Sequence, residues 1–363
     1  MKRLTEFDQL ADPTFSRAVI GWQQQHGRHA LPWQNTRDAY RIWLSEIMLQ
    51  QTQVAAVLAY YARFLERFPT LESLAAAPSE DVMALWSGLG YYTRARNLHA
   101  CAKRVVAEHG GVFPSDPALL AELPGIGRST AAAISAFSSG TRAAILDGNV
   151  KRVFARVFGI DQYPGAKPVE DALWRRADAL LPESGIERYT QGLMDLGATL
   201  CTRSSPSCSR CPLQARCVAL ATGRTAELPV RKPKKTKPEK RAAMLLIVDD
   251  GKVLLEQRAD SGIWGGLLSL PEVDGHAALD AECDVAAAAS AFGEVEEIEA
   301  LLPLVHVFTH YKLHIYPHRV SLDRRAPSEP GFVWWDLANI ASAPLPAPIK
   351  KLLSQLTAPT LFE

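Results

Sequence analysis

Apolar side chains recur every three or four residues from Asp38 to Phe68 (Ile42, Trp43, Ile47, Val54, Val57 and Leu58), and neither Gly nor Pro interrupts the run before Pro69. That period predicts helix across the whole stretch. The same spacing returns over 79–86, 94–109, 117–123, 129–138, 150–158, 169–181 and 187–200, with breakers such as Phe113-Pro114 and Pro164-Gly165 between segments. No alternating pattern competes, so residues 1–223 are expected to be all-α. Beyond residue 241 the texture changes. Residues 242–248, a turn at Asp249-Asp250-Gly251 and residues 253–257 predict strand, turn and strand. Further strands are expected from His306 to Val320 and from Phe332 to Trp335, with an Ala-rich helix near 277–291. The tail, 242–363, is therefore expected to be a separate α/β domain.

Composition agrees with two cores. The chain has 363 residues, 47% of them hydrophobic and 22% charged, which suits two globular domains and excludes disordered, collagen-like or coiled-coil classes. Its longest wholly apolar run, the nine residues Val54 to Ala62, is far short of the roughly 20 that span a bilayer, so no membrane partner is expected. The first residues, Met-Lys-Arg-Leu-Thr-Glu-Phe-Asp, hold no apolar stretch of the signal-peptide kind, which points to a cytoplasmic chain.

A formal net charge of +1 argues at first against a polyanionic partner. Its distribution reverses that reading. Residues 1–223 carry 24 Lys/Arg against 20 Asp/Glu, residues 224–241 eight against two, and residues 242–363 eight against 17. The front is basic and the tail acidic. The middle block has three prolines and almost nothing to bury, so it reads as an extended linker; it is either a solvated tether or a strip that follows a phosphate backbone.

Candidate chemistry falls in three places. Cys201, Cys208, Cys211 and Cys217 lie within 17 residues. Clustered thiols in a cytosolic chain favour metal over disulfides, and four thiolates suit a structural zinc or an iron–sulfur cluster, with zinc the safer expectation on chemistry alone. Leu123-Pro124-Gly125-Ile126-Gly127-Arg128-Ser129-Thr130 places a Gly-x-Gly turn before a helix, near 117–138. Free amides at that helix start let a DNA phosphate approach without any reading of sequence, with Gly125, Gly127 and the basic Lys151 as the backbone-binding set. Glu46 sits mid-helix with Ile42, Trp43, Leu49 and Gln50 as its neighbours, so poor hydration should raise its pKa and make it an acid near neutral pH. Asp147 precedes a helix that Asn149 could cap, where the dipole, Lys151 and Arg152 should keep it ionised. One protonated and one charged carboxyl is the arrangement that breaks glycosidic bonds.

Together these stretches resemble the helix–hairpin–helix DNA glycosylases of the endonuclease III superfamily and, within it, the adenine DNA glycosylases of the MutY family. The resemblance rests on residues 31–34 (LeuProTrpGln), 43–53, 88–98, 123–131, 146–153 and 194–203, nearly the whole front domain. It implies a [4Fe–4S] cluster on the four cysteines, in a loop at 201–217. It implies base flipping, with Glu46 as general acid and base and Asp147 stabilising the sugar cation, supported by Asn149 and Ser129. Leu31, Trp33 and Gln191 match positions lining the adenine pocket, and Gln50, Gln51 and Tyr91 match the base pocket and the wedge into the duplex. Where bifunctional relatives carry a nucleophilic lysine, this chain has Ser129, which implies base removal without efficient strand cleavage.

The tail resembles the Nudix fold at the C-terminus of the same family, through 253–258 and 261–272. No arginine lies between Arg258 and Arg319, so the Nudix metal box is missing and the domain is expected to be a recognition module. The family's PheSerHis triplet, which senses 8-oxoguanine, corresponds to Phe308-Thr309-His310. The implied partner is double-stranded DNA containing adenine opposite 8-oxoguanine or guanine, met by a monomer that would be nucleoid-associated in a bacterium. The competing readings are an endonuclease III-like enzyme for oxidised pyrimidines, disfavoured by Ser129, and a non-catalytic iron–sulfur DNA-binding protein, disfavoured by the presence of both carboxylates.

Overall fold

Pro13 fixes the backbone for a first turn, and Asp12 accepts a 2.9 Å hydrogen bond from the Thr14 amide, so the chain enters helix α1 (Pro13–His26) with its free amides capped. This helix, which the apolar pattern does not announce, begins the first of two compact units in the computed structural model. The structure describes residues 10–232, 236–259, 262–273, 282–308, 310–327 and 330–357. The first unit comprises residues 1–76 and 97–234, the second residues 77–96 and 235–363.

In the first unit the run from Asp38 to Phe68 is two helices, α2 (Ala39–Leu49) and α3 (Val54–Arg67). Their separation needs no Gly or Pro because Gln51 itself takes a left-handed φ of 59°. A short α4 (Leu71–Ala76) follows. After α5 (Ser79–Trp86) in the second unit, α6 (Thr93–His109) returns the chain to the first. There it is followed by α7 (Pro117–Ala121), α8 (Arg128–Ser139), α9 (Gly148–Val157), α10 (Lys167–Ala179) and α11 (Ile186–Asp195). Residues 187–200 were expected as one α-helix, but the last turn, Leu196–Leu200, relaxes into π geometry. Ala132, Ala133 and Ala136 of α8 lie in one buried cluster with Phe15, Val19, Phe154, Tyr189 and Leu193, the small side chains leaving room for the aromatic rings.

Among the described residues, the second unit holds a seven-stranded sheet with the order β3-β2-β1-β6-β4, where β5 also pairs with β6 and β7 with β2. The strands are β1 (Glu239–Asp249), β2 (Lys252–Gln257), β3 (Leu268–Ser269), β4 (Gly293–Ala300), β5 (Leu304–Val307), β6 (Lys312–Arg325) and β7 (Phe332–Asp336). β1 and β6 run parallel, with Glu239 opposite Lys312 and Ile247 opposite Val320. Both faces of β1 are covered from Ala242 to Ile247, which explains its continuous apolar run. The strand expected over His306–Val320 is broken into β5, which ends at Val307, and β6, which starts at Lys312; between them the Phe308 amide donates to the Tyr311 carbonyl at 2.9 Å. The Ala-rich helix is described over Glu282–Ser290, and residues 274–281 of the expected span lie outside the described residues.

The stretch 224–241 is structured at both ends. Leu228 is buried and its carbonyl accepts from Arg156, while Glu239 to Arg241 already belong to β1.

Candidate active site

Helix α2 carries Glu46 at the edge of a cavity of about 870 Å³. Ile42 and Ser45 of the same helix, Trp33, Gln34 and Gln191 also line it. Burial raises the Glu46 carboxyl to about 8, and the neighbouring Asp147 charge adds to the shift. No described residue donates a hydrogen bond to it, so nothing offsets the loss of water.

Asp147 stands before α9, and there the structure corrects two expectations. Asp147 itself, not Asn149, is the cap: its carboxylate accepts from the Val150 amide at 2.8 Å. Burial also outweighs the charges expected to keep it ionised, so its pKa is raised, although the Val150 and Asn149 amides, Arg152 and Lys151 pull it back. Of the two carboxyls, only Asp147 has hydrogen-bond donors for its anion, which favours the proton on Glu46 and the charge on Asp147. Asn149 accepts from Arg152 at 2.7 Å, and Arg152 also donates to the Gly197 and Cys201 carbonyls. Lys151 is ion-paired with Glu170 at 2.5 Å, which competes with the phosphate contact expected of it. The Ser129 hydroxyl accepts from the Leu146 amide at 3.0 Å and ties the start of α8 to the residue before Asp147.

Gln191 donates to Asp195 at 2.8 Å, and Asp195, fully buried, also accepts from the Arg28 backbone and guanidinium. The sequence reading did not single out Arg28 and Asp195. The helix-face signal used for Glu46 is weak at Asp195, whose three- and four-residue neighbours are Gln191, Gly192, Ala198 and Thr199. Trp33 is buried edge-on against Tyr61. Leu31, at the head of a turn closed by the Gln34 amide on its carbonyl, is half-buried and lies outside the cavity lining.

Gly125 adopts a φ of 77°, and a Cβ there would sit 2.9 Å from the Asn97 Cβ, so the hairpin requires glycine at this position. Gly127 has open space and an extended backbone; no side chain caps α8 behind it, leaving the first amides of the helix free of intrahelical partners. Gln50 reaches the Gly125 carbonyl at 3.4 Å, joining the α2–α3 break to the hairpin. Gln51 is exposed at its left-handed φ. Tyr91, in the second unit, is likewise exposed with a φ of 52°. Each is a strained residue that faces outward within its own unit.

All four thiols line one further cavity beside Val153, Leu200 and Leu213. Burial, then the crowding of neighbouring thiols, raises Cys211 to about 11. The buried Arg156 donates to Cys201 Sγ at 3.3 Å and to the Thr202, Arg203 and Leu228 carbonyls. Among the described residues, no three His, Cys, Asp or Glu side chains converge on a single ion.

In the second unit Phe308 and His310 flank Thr309, which lies outside the described residues. Phe308 stacks on Tyr311 with centroids 4.6 Å apart, and Trp264 and His306 pack around it.

Comparison with known proteins places this geometry. Residues 44–178 match the family model of the HhH-GPD superfamily base excision DNA repair proteins, and residues 242–355 match the NUDIX domain. An adenine DNA glycosylase of Buchnera aphidicola (from Acyrthosiphon pisum) is 34% identical over 93% of this chain and 96% of its own length. The adenine DNA glycosylase of Mus musculus is 34% identical over 95% of this chain and 78% of its own. The structure of a thermostable thymine-DNA glycosylase aligns with a TM-score of 0.53 at 29% identity, covering 58% of this chain and 96% of that one. It matches only part of the chain, whereas the two adenine DNA glycosylases run through both the helical and the Nudix-like region. The chain belongs to the adenine DNA glycosylase family.

Proposed function

We propose that this protein excises adenine mispaired with 8-oxoguanine or guanine from duplex DNA, by hydrolysis of the N-glycosidic bond. The observation that carries the reading is Glu46, a carboxyl held up to about 8 at the edge of a cavity roomy enough to take a flipped base, beside a second carboxyl with anion-stabilising donors. The bond is inaccessible inside the stack, so the adenine must be flipped out into the cavity. Protonated Glu46 gives its proton to an imidazole-ring nitrogen of the base. The C–N bond breaks with its electron pair leaving on adenine, and the cation left on the sugar faces the Asp147 carboxylate. Glu46, now ionised, takes a proton from the water that attacks the sugar. Trp33 and Gln191 hold the base, with Leu31 at the entrance turn. Gln50 and Gln51 would fill the gap left by the base, Tyr91 of the second unit is a further wedge residue, and the amides behind Gly125 and Gly127 hold the backbone. Ser129 offers no amine, so the sugar–phosphate chain stays intact.

Cys201, Cys208, Cys211 and Cys217 would hold a [4Fe–4S] cluster. Four thiols lining one cavity fit a four-cysteine metal centre, and the family resemblance of their spacing points to iron–sulfur over zinc. Four thiolate ligands leave no open position, so the group would supply a cross-link that shapes the loop. The Nudix-like domain, with Phe308, Thr309 and His310, would read the base opposite adenine.

The test offers duplexes carrying adenine opposite 8-oxoguanine, adenine opposite guanine, or thymine glycol, followed by alkali. Cleavage at adenine only after alkali is the expected result. Cleavage at thymine glycol, or without alkali, would favour the endonuclease III-like reading, and binding without cleavage the non-catalytic one.

A further inference from the structure

The basic stretch that precedes β1 has a use the proposed mechanism does not cover. Parallel pairing of β1 with β6 begins at Glu239 opposite Lys312. The residues just before each strand are therefore neighbours: the end of the basic stretch on one side, the 308–311 turn on the other. Lys237 Nζ donates to the Phe308 carbonyl at 2.8 Å, and the Pro238 carbonyl accepts from the Lys312 amide at 2.9 Å. The Lys240 ammonium lies 5.2 Å from the centroid of the Tyr311 ring, the ring that stacks on Phe308. Both lysines thus act on one turn, one through its backbone and one through its aromatic floor.

We propose that Lys237 and Lys240 are positioning residues that clamp the Phe308–Tyr311 turn, and that they set discrimination for the base opposite adenine instead of gripping DNA phosphate. This rests on the recognition role proposed for that turn. A lysine that held phosphate would add affinity to every duplex, with a salt dependence to match. A lysine that holds the turn changes only what the turn contacts.

The experiment compares the full-length protein with its Lys237→Met, Lys237→Arg and Lys240→Gln variants. Single-turnover excision is measured for adenine opposite 8-oxoguanine and opposite guanine, along with the salt dependence of binding to undamaged duplex. The 8-oxoguanine preference should fall by roughly three- to tenfold in Lys237→Met, the scale of one charge-assisted hydrogen bond. It should fall less in Lys240→Gln and be largely kept in Lys237→Arg, which retains a donor. The guanine-opposed rate and the salt slope should not move. An unchanged preference would overturn the proposal. So would a uniform loss of affinity with a salt slope shallower by about one ion per lysine, which marks a phosphate contact. Failure of the underlying reading is distinguishable, because the parent protein would then show no 8-oxoguanine preference to lose.

Discussion

Glu46 shows how the acid proposed for catalysis weighs on its own fold. Its ordinary pKa is 4.5 and burial lifts it to about 8. Below 4.5 the folded and unfolded chains both hold the proton, and burial of the neutral acid costs little. Between 4.5 and 8 only the folded chain holds it, so stability falls steadily as pH rises, and the loss is complete above about 8. Glu46→Gln should therefore stabilise the protein, by about 1–3 kcal/mol at pH 8 and far less near pH 5, as read from urea unfolding at the two pH values. A gain independent of pH would mean that Glu46 is not the strained group. The same substitution, and Asp147→Asn, should each reduce single-turnover excision by roughly 10²-fold or more while leaving duplex affinity intact. In the parent protein, excision should decline as pH rises through about 8, where the acid loses its proton. Much of this was legible in the sequence, because a carboxylate among apolar helix neighbours announces its own desolvation. Its counterpart was not. Asp147 has cations close by in sequence, but Lys151 pairs with Glu170 and Arg152 reaches toward Gly197 and Cys201, partners that helix packing supplies.

Elements place these groups, and their breaks matter as much as their spans. The α2–α3 interruption was invisible to a search for Gly and Pro, since Gln51 takes the left-handed conformation itself. The π turn at Leu196–Leu200 was equally hidden; it ends at Cys201, whose amide donates to the Leu196 carbonyl at 2.7 Å. The hairpin, by contrast, was plain from its glycines, and the first turn of α8 puts residue 129 one bond away from Leu146 and next to Asp147. A lysine placed there would bring an amine toward Asp147, where the proposed mechanism puts the sugar. Ser129→Lys should give a borohydride-trappable DNA adduct that the parent protein does not form. It should also lose about 0.5–1.5 kcal/mol of stability with the Leu146 hydrogen bond. If no adduct forms, the serine is not what makes the reaction hydrolytic.

At the scale of the molecule, near-neutrality conceals a basic front and an acidic tail, as the charge blocks indicated. The division into units was less legible. Residues 77–96 group with the sheet unit, where Tyr92 donates to the Leu345 carbonyl at 3.3 Å and Arg96 to the Gly265 carbonyl. Removing residues 239–363 should therefore do more than blunt discrimination. It should lower the melting temperature of the remainder and slow excision opposite guanine too, because the loop bearing Tyr91 loses these supports. Phe308→Ala or His310→Ala should alter the 8-oxoguanine preference alone. A truncated chain with unchanged melting and guanine-opposed activity would show that residues 77–96 stand without the sheet.

The sequence by itself determined the chemistry on offer: the two carboxylates, the four thiols, the hairpin glycines and the serine in place of a lysine are fixed by residue type and local spacing. Tertiary structure decided which of them are paired, strained or held. Asp195 meets Arg28 across 167 residues, Lys237 meets Phe308 across 71, and Lys151 is tied to Glu170. Residue type and short-range periodicity are carried along the chain, but desolvation and hydrogen-bond partners belong to surfaces that exist only once distant helices and strands have packed.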